Sequence, residues 1–141
     1  MACAALILAA AAALAPAPPA VASEPLFVDI IARAEALEAD ARTFKGKSGV
    51  DLTRFRAGLT QLSALDMQAH VTLKARGTDG DLKCILKGIS EDLPKKLDQV
   101  AAATDPALRD MAVDEMVALL DDNVAVIVSP PGPATPPPAE S

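Results

Sequence analysis

The segment 106–126 constrains the fold more than any other, because its apolar residues recur at three- and four-residue steps. On an α-helix this spacing places them on one broad face, made by Leu108, Ala112, Met116, Leu119 and Asn123 with Met111 and Leu120 at its edges. Asp105 and Pro106 form a start signal, since the aspartate can accept bonds from first-turn amides and the proline loses only a donor that has no helical partner. One helix cannot bury such a face alone, so the segment predicts a helical bundle.

Three earlier segments share this periodicity and predict three more helices. Helix one is expected at 26–43, helix two from residue 51 or 52 to residue 75, and helix three from residue 79 or 81 to residue 100. Turns that contain glycine, at 45–49 and 77–80, separate them. Short connections favour an all-α, antiparallel four-helix bundle. Pro94 predicts a kink or a restart in helix three near residues 90–93, because proline removes a backbone donor.

The distribution of charge predicts which helices are neighbours. Segment 45–76 carries six Lys or Arg against Asp51 and Asp66, whereas segment 105–122 carries six acidic residues against Arg109 alone. Because opposite charges favour adjacent flanks, helix two is expected beside helices one and four. Each exposed pair contributes only tenths of a kcal/mol, so charge selects an arrangement that the apolar core stabilises.

The two ends of the chain differ in composition from the middle. Residues 1–22 have no charged side chain, and an apolar run from Ala4 to Ala15 precedes Ala20-Val21-Ala22, a small-x-small site typical of a secretory signal peptide. This run is shorter than the roughly 20 residues of a membrane-spanning helix. Residues 129–141 contain six prolines, which predicts a disordered tail. We therefore expect a signal peptide at 1–22, a bundle at 23–128 and a tail at 129–141, in a periplasmic or secreted protein.

The composition also bears on the class of partner. The chain has a net charge of −6, no Trp or Tyr, and three Phe. Export together with an acidic surface argues against nucleic acid as a partner. Few aromatic rings means few platforms for stacking on bases, sugars or other flat ligands. Because the sequence also lacks a nucleophile elbow, a Cys-x-x-Cys pair and a zinc signature, it predicts no catalytic residue and no cofactor.

Asp66 is the most unusual polar residue, because it falls in the middle of the apolar stripe of helix two. His70 follows one turn later, at the edge of the stripe, so the two side chains share a face and could both reach one metal ion. Met67, Met111 or Met116 could add soft ligands suited to copper. The alternative is a buried Asp66 that accepts hydrogen bonds from a Thr, from Asn123 or from a basic side chain of a neighbouring helix.

A bundle with a histidine on one helix also resembles histidine phosphotransfer domains, whose surface histidine is followed by the pattern His-x-x-Lys-Gly. Here Lys74 comes four residues after His70 and Gly77 seven residues after it, later than in that family. The resemblance implies a phosphotransfer role for His70, and this interpretation gains weight if residues 1–22 are not a signal peptide.

Cys84 is the only cysteine that remains after signal removal. On helix three it falls about 200° from Leu82, on the side of Lys87, Glu91 and Lys95, which predicts an exposed thiol. In an oxidising compartment such a thiol is expected to form an intermolecular disulfide, giving a homodimer across the outer face of helix three. The alternative is that helix three rotates, or that Pro94 shifts its register, and Cys84 is buried.

These observations favour a non-enzymatic, exported helical-bundle protein of the binding or adaptor type. Its partner would be another protein or a small apolar ligand held in a groove of a pliable, methionine-containing interior. A periplasmic metal-binding protein that uses Asp66 and His70 is the first alternative, and a histidine-phosphotransfer-like domain is the second.

Overall fold

A computed structural model describes residues 20–77 and 80–131, and within these ranges the chain forms four α-helices and no strand. The helices are α1 Pro25–Arg42, α2 Thr53–Ala75, α3 Leu82–Ala102 and α4 Pro106–Val128. The four helices predicted from periodicity are thereby confirmed, each within a few residues of its expected ends. The start signal of α4 is confirmed too, since the Asp105 carboxylate accepts bonds from the Ala107 and Leu108 amides.

The helices form a closed square in which each packs on the one before it and the one after it, and α4 packs on α1. Cross-helix pairs give antiparallel directions: Arg76 at the end of α2 bonds to Glu24 at the start of α1, and Arg56 at the start of α2 bonds to Asp98 near the end of α3. Helix α2 is therefore beside α1 and α3. The predicted contact between helices two and four is wrong, because these helices lie across the diagonal.

Charge predicted one neighbour of α2 correctly, helix α1, and the other wrongly, because the acidic residues of α4 find basic partners elsewhere. Lys45, which follows α1, bonds to Asp114, and Lys96 of α3 bonds to Glu115. Exposed pairs of this kind are worth about 0–1 kcal/mol, so they adapt to an arrangement that core packing and short connections determine.

The core lies along the bundle axis and is built from large aliphatic side chains with two phenylalanines, Phe27 and Phe55. On α4 the buried residues are Ala112, Val113, Met116, Leu120, Asn123 and Ile127. Leu108 and Met111, expected on the apolar face, are instead 60% and 59% exposed. At roughly 100° per residue they lie about 120° and 180° around the helix from Leu120, so the core-facing line runs through Val113 and not through them.

Helix α3 continues through Pro94 without interruption, so the restart predicted near residues 90–93 is not observed, while a bend of the axis stays a prediction. Pro94 has no amide hydrogen to donate to the Ser90 carbonyl four residues earlier. The Ser63 hydroxyl of α2 donates to that carbonyl at 2.6 Å, and the Ser90 hydroxyl donates to the Ser63 carbonyl at 2.7 Å. This reciprocal serine pair supplies the donor that proline removes and joins α2 to α3.

A short 3-10 helix, Val21–Ser23, precedes α1 and packs against α1 and α4. Val21 and Ala22 are half-buried against the core. Cleavage after Ala22 would remove both side chains from the bundle. Most of the predicted signal peptide and most of the tail lie outside the described residues. Among the helices that the structure describes, none is long and apolar enough to cross a membrane.

Candidate functional site

Asp66 lies at the centre of the bundle, with no solvent-exposed surface. Its carboxylate atom Oδ1 accepts a hydrogen bond from Nδ2 of Asn123, also fully buried, at 3.0 Å. The bond joins α2 to α4, the two helices that face each other across the diagonal. The interpretation of Asp66 as a buried acceptor for Asn123 is thus confirmed.

The Asp66–Asn123 contact leaves one oxygen of each side chain without a partner. Asp66 Oδ2 and Asn123 Oδ1 are buried, and neither has a hydrogen-bond donor among the described residues. Burial raises the pKa of Asp66 to about 7, and the bond from Asn123 lowers it by a smaller amount. Desolvation dominates because it disfavours the charged carboxylate, and a single neutral donor compensates for only part of that cost.

His70 contacts a different helix. Its Nδ1 lies 2.6 Å from the Lys83 carbonyl oxygen of α3. Because a carbonyl only accepts, Nδ1 carries the proton, and Nε2 is the nitrogen left for other contacts. Within residues 20–77 and 80–131 no group of three or more His, Cys, Asp or Glu side chains is arranged to hold a metal ion. The metal site at Asp66 and His70 stays a prediction. In the structure the Asp66 carboxylate accepts its hydrogen bond from Asn123 in the core.

Cys84 is exposed in the first turn of α3, so the predicted facing of its side chain is confirmed. Lys87 and Glu91, expected on the same side, are also exposed. The intermolecular disulfide itself stays a prediction.

A cleft of about 220 Å³ opens at the end of the bundle where the α1–α2 connection meets the α3–α4 turn. We call it the loop-end cleft. It is lined by Phe44, Lys47, Gly49, Val50, Leu52, Val100, Ala101, Ala103, Arg109 and Val113. Val100 and Val113 belong to a small buried cluster beside the main core, and Phe44 and Leu52 pack against both. The cleft therefore has an apolar floor that is open to solvent on one side.

The α1–α2 connection is held over α4 by two tethers. The Gly46 amide donates to the Asp110 carboxylate at 2.9 Å, and the Lys45 ammonium donates to both oxygens of Asp114 at 2.9 and 3.0 Å. Gly46 and Gly49 have φ values of 73° and 66°, a left-handed conformation that glycine adopts without strain. The walls of the cleft are thus fixed by specific bonds.

Two cations line the loop-end cleft, and neither forms an ion pair with a carboxylate of the described chain. Arg109 donates to the carbonyls of Lys47 and Ala103, at 3.4 and 3.2 Å, and Lys47 has no acidic partner. Most other basic side chains, such as Lys45 and Lys96, are paired with Asp or Glu. An apolar floor beside two cations that form no ion pair within the described chain suits a small ligand that carries an anionic group.

Arg109 could not be found from the predicted apolar face of α4, because that face was extended to Leu108 and Met111 and did not include Val113. At roughly 100° per residue, Arg109 lies about 20° from Leu120, one turn before Val113 on the core-facing line. A stripe counted back through Val113 would have placed a cation facing inward at the end of the bundle. A basic residue on the core-facing line of α4 was the sequence signal that could have identified Arg109.

No protein-family model matches the chain, and no curated protein or solved structure shows significant similarity to it.

Proposed function

We propose that this chain is an exported helical-bundle protein of the binding type, which holds a small ligand with an apolar body and an anionic group in the loop-end cleft. The observation that carries the proposal is the pairing of an apolar floor with two cations, Lys47 and Arg109, that have no carboxylate partner in the described chain. The Arg109 guanidinium uses only part of its five-donor fork on backbone carbonyls, and such a fork matches a carboxylate. The anion would lie at the rim and its apolar body over Val100 and Val113.

The size of the cleft limits the ligand. Its volume of about 220 Å³ is below the roughly 300–1,000 Å³ of sites for drug-sized molecules. A short-chain or single-ring carboxylate fits this description, and a large flat cofactor does not.

The binding test compares hexanoate with hexanamide, which has the same apolar chain and no charge, in an NMR titration that follows the amides of Val50 and Val113. We expect hexanoate to shift both amides and hexanamide to bind more weakly. Arg109→Gln should reduce hexanoate affinity roughly 10- to 100-fold, as expected for the loss of a hydrogen bond to a charged group worth roughly 1.5–3 kcal/mol. Arg54→Gln is the control, because Arg54, like Arg109, has no acidic partner in the described chain but is exposed and lies outside this cleft.

Equal binding of hexanoate and hexanamide, or an equal effect of the Arg54 and Arg109 substitutions, would contradict the proposal. Export is tested separately by the intact mass of protein recovered from the periplasm or the medium. That mass should correspond to a chain that begins at Ser23.

A partner protein is the second candidate occupant of this end of the bundle. Leu108 and Met111 are exposed one turn apart on the outer face of α4, away from the core-facing line that carries Arg109. Exposed apolar side chains that lie close together are typical of protein contacts. Leu108→Ser together with Met111→Ser should then abolish capture of a partner from a periplasmic extract while leaving hexanoate binding unchanged.

The metal-binding and phosphotransfer alternatives would both have to use Nε2 of His70, since Nδ1 is bonded to the Lys83 carbonyl. Addition of copper or zinc while the His70 imidazole is followed by NMR separates the metal alternative from the ligand proposal. An unshifted imidazole resonance would exclude the metal alternative.

A further inference from the structure

We propose that Asp66 is protonated in the folded protein and forms a doubly hydrogen-bonded acid–amide pair with Asn123, a proton-dependent clasp between α2 and α4. The proposal concerns the centre of the bundle and does not depend on the function of the loop-end cleft.

The hydrogen-bond count of the two side chains carries the proposal. An ionised carboxylate only accepts, whereas the Asn123 carboxamide has one donating nitrogen and one accepting oxygen. With Nδ2 donating to Asp66 Oδ1 at 3.0 Å, the two oxygens left over, Asp66 Oδ2 and Asn123 Oδ1, are both acceptors, buried and without a donor. One proton on Oδ2 converts the first of these into a donor for the second. A single change of protonation state therefore satisfies both orphaned atoms.

The surroundings of the pair offer no competing charge. Asp66 is the only ionisable side chain among the buried residues that the structure describes, and the only other buried polar residues are Ser90 and Asn123. The buried positions of α1 are Phe27, Ile30, Ala34, Leu37 and Ala41, and none is polar. The charged side chains on neighbouring turns of the other helices are partly or fully exposed: Asp29 and Arg33 on α1, Lys87 and Glu91 on α3, and Asp121 and Asp122 on α4.

His70 is the nearest titratable group on α2 itself, one turn beyond Asp66. It is engaged with the Lys83 carbonyl and is partly exposed. No cation of the described chain is therefore bonded to Asp66 to hold it in the ionised form, and burial favours the neutral acid.

Because the clasp joins two helices that lie diagonally opposite each other, its loss would weaken the association of α2 with α4. No backbone contact links α2 to α4, so the Asp66–Asn123 pair is a direct polar link across the diagonal. Loss of the proton removes one of its two hydrogen bonds and leaves a buried negative charge with one donor. Burial raises the pKa of Asp66 to about 7, so this loosening falls near neutral pH.

The experiment follows Asp66 in the full chain, with the aspartate carboxyl carbons labelled with ¹³C, by NMR and infrared spectroscopy from pH 4 to pH 9. We expect the Asp66 carboxyl resonance to titrate near pH 7, far above its ordinary value of 3.8, and a protonated-carboxyl C=O band to be present at pH 5. Asn123→Leu should move that band to higher frequency, because the carbonyl loses its donor.

Asp66→Asn serves as the second variant, since its carboxamide has the shape of the neutral acid and can make the same two bonds with Asn123. This variant should fold and should lack the protonated-carboxyl band. After correction for the intrinsic pH dependence of exchange, its amides in α2 and α4 should be equally protected at pH 5 and pH 8. The unmodified chain should lose protection at pH 8. An ionised Asp66 resonance at pH 5 would overturn the proposal. A carboxyl band that Asn123→Leu leaves in place, or an equal loss of protection in Asp66→Asn, would overturn the paired geometry.

Discussion

The Ser63 hydroxyl donates at 2.6 Å to the Ser90 carbonyl, the acceptor that the missing amide hydrogen of Pro94 would otherwise bond. Ser63→Ala removes this donor and leaves a partly buried carbonyl unsatisfied, because Pro94 cannot replace it. We expect a loss of about 1–3 kcal/mol of unfolding free energy, the usual cost of an orphaned buried acceptor. The Ser90 hydroxyl keeps its own bond to the Ser63 carbonyl and loses only its 3.2 Å contact with the Ser63 hydroxyl.

The same substitution should cost much less in a Pro94→Ala background. The alanine introduced there carries an amide hydrogen that can donate to the Ser90 carbonyl, as in an ordinary helix. Ser63→Ala then removes only a supplementary bond, with an expected cost of about 0.5–1 kcal/mol. The double-mutant coupling energy should therefore reach about 1 kcal/mol or more. Pro94→Ala alone should stabilise the protein, because proline inside a helix costs up to about 3 kcal/mol and Ser63 offsets part of this.

Urea unfolding of the four proteins, with constant m-values, measures the coupling. Thr60→Ala is the matched control, since the Thr60 hydroxyl of α2 donates to the Arg56 carbonyl at an exposed position with no proline nearby. Its effect should be the same in the unmodified chain and in the Pro94→Ala background. A coupling energy between Ser63 and Pro94 within about 0.5 kcal/mol of zero would refute the idea that the serine replaces the missing amide.

Three further predictions concern other parts of the chain. Burial raises the pKa of Asp66 to about 7 in the folded state against 3.8 ordinarily, so the folded state binds more protons than the unfolded state between these values. The unfolding free energy measured in urea should therefore fall by about 4 kcal/mol as the pH rises from about 3 to about 8, and Asp66→Asn should remove this contribution. Removal of residues 129–141 should leave the melting midpoint unchanged, and a drop of several degrees would show that the tail packs on the bundle. A non-reducing gel of periplasmic material should show a dimer that Cys84→Ser eliminates, and a monomer in both samples would contradict the predicted disulfide.

The four helices could be predicted from the sequence because apolar periodicity and end signals depend on neighbours within a few turns. Asp105 caps α4 as its position predicted, and glycines with positive φ follow α1 and α2. Charge alone did not determine which helices are neighbours, because Lys45 and Lys96 form ion pairs with acidic residues of α4 from its two sides. Exposed ion pairs are too weak to select among packings, so this information is carried by the core and the connections.

Pro94 shows a second limit of local reasoning. The rule that proline breaks a helix has two grounds: the carbonyl four residues earlier is left without a donor, and the ring collides with it. That carbonyl has a donor here because Ser63, distant in the chain, lies opposite it in the bundle. Neither serine is unusual in sequence, and only the register of α2 against α3 brings them together. The local rule correctly identified the missing amide donor, but it could not predict that a serine of another helix would replace it.

Asp66 and Asn123 mark the boundary between what spacing can and cannot establish. Each is polar in an apolar stripe, so each could be recognised as buried from its own helix. The contact between them depends on the alignment of α2 and α4, whose apolar stripes face the bundle axis from opposite sides. Apolar side chains alone would allow several alignments that pack almost equally well. A buried polar pair has few satisfactory alternatives, because sliding α2 against α4 by one turn would leave both groups unsatisfied in the core. The pair therefore disfavours other alignments of α2 and α4, and in the neutral acid–amide form it does so without the cost of a buried charge.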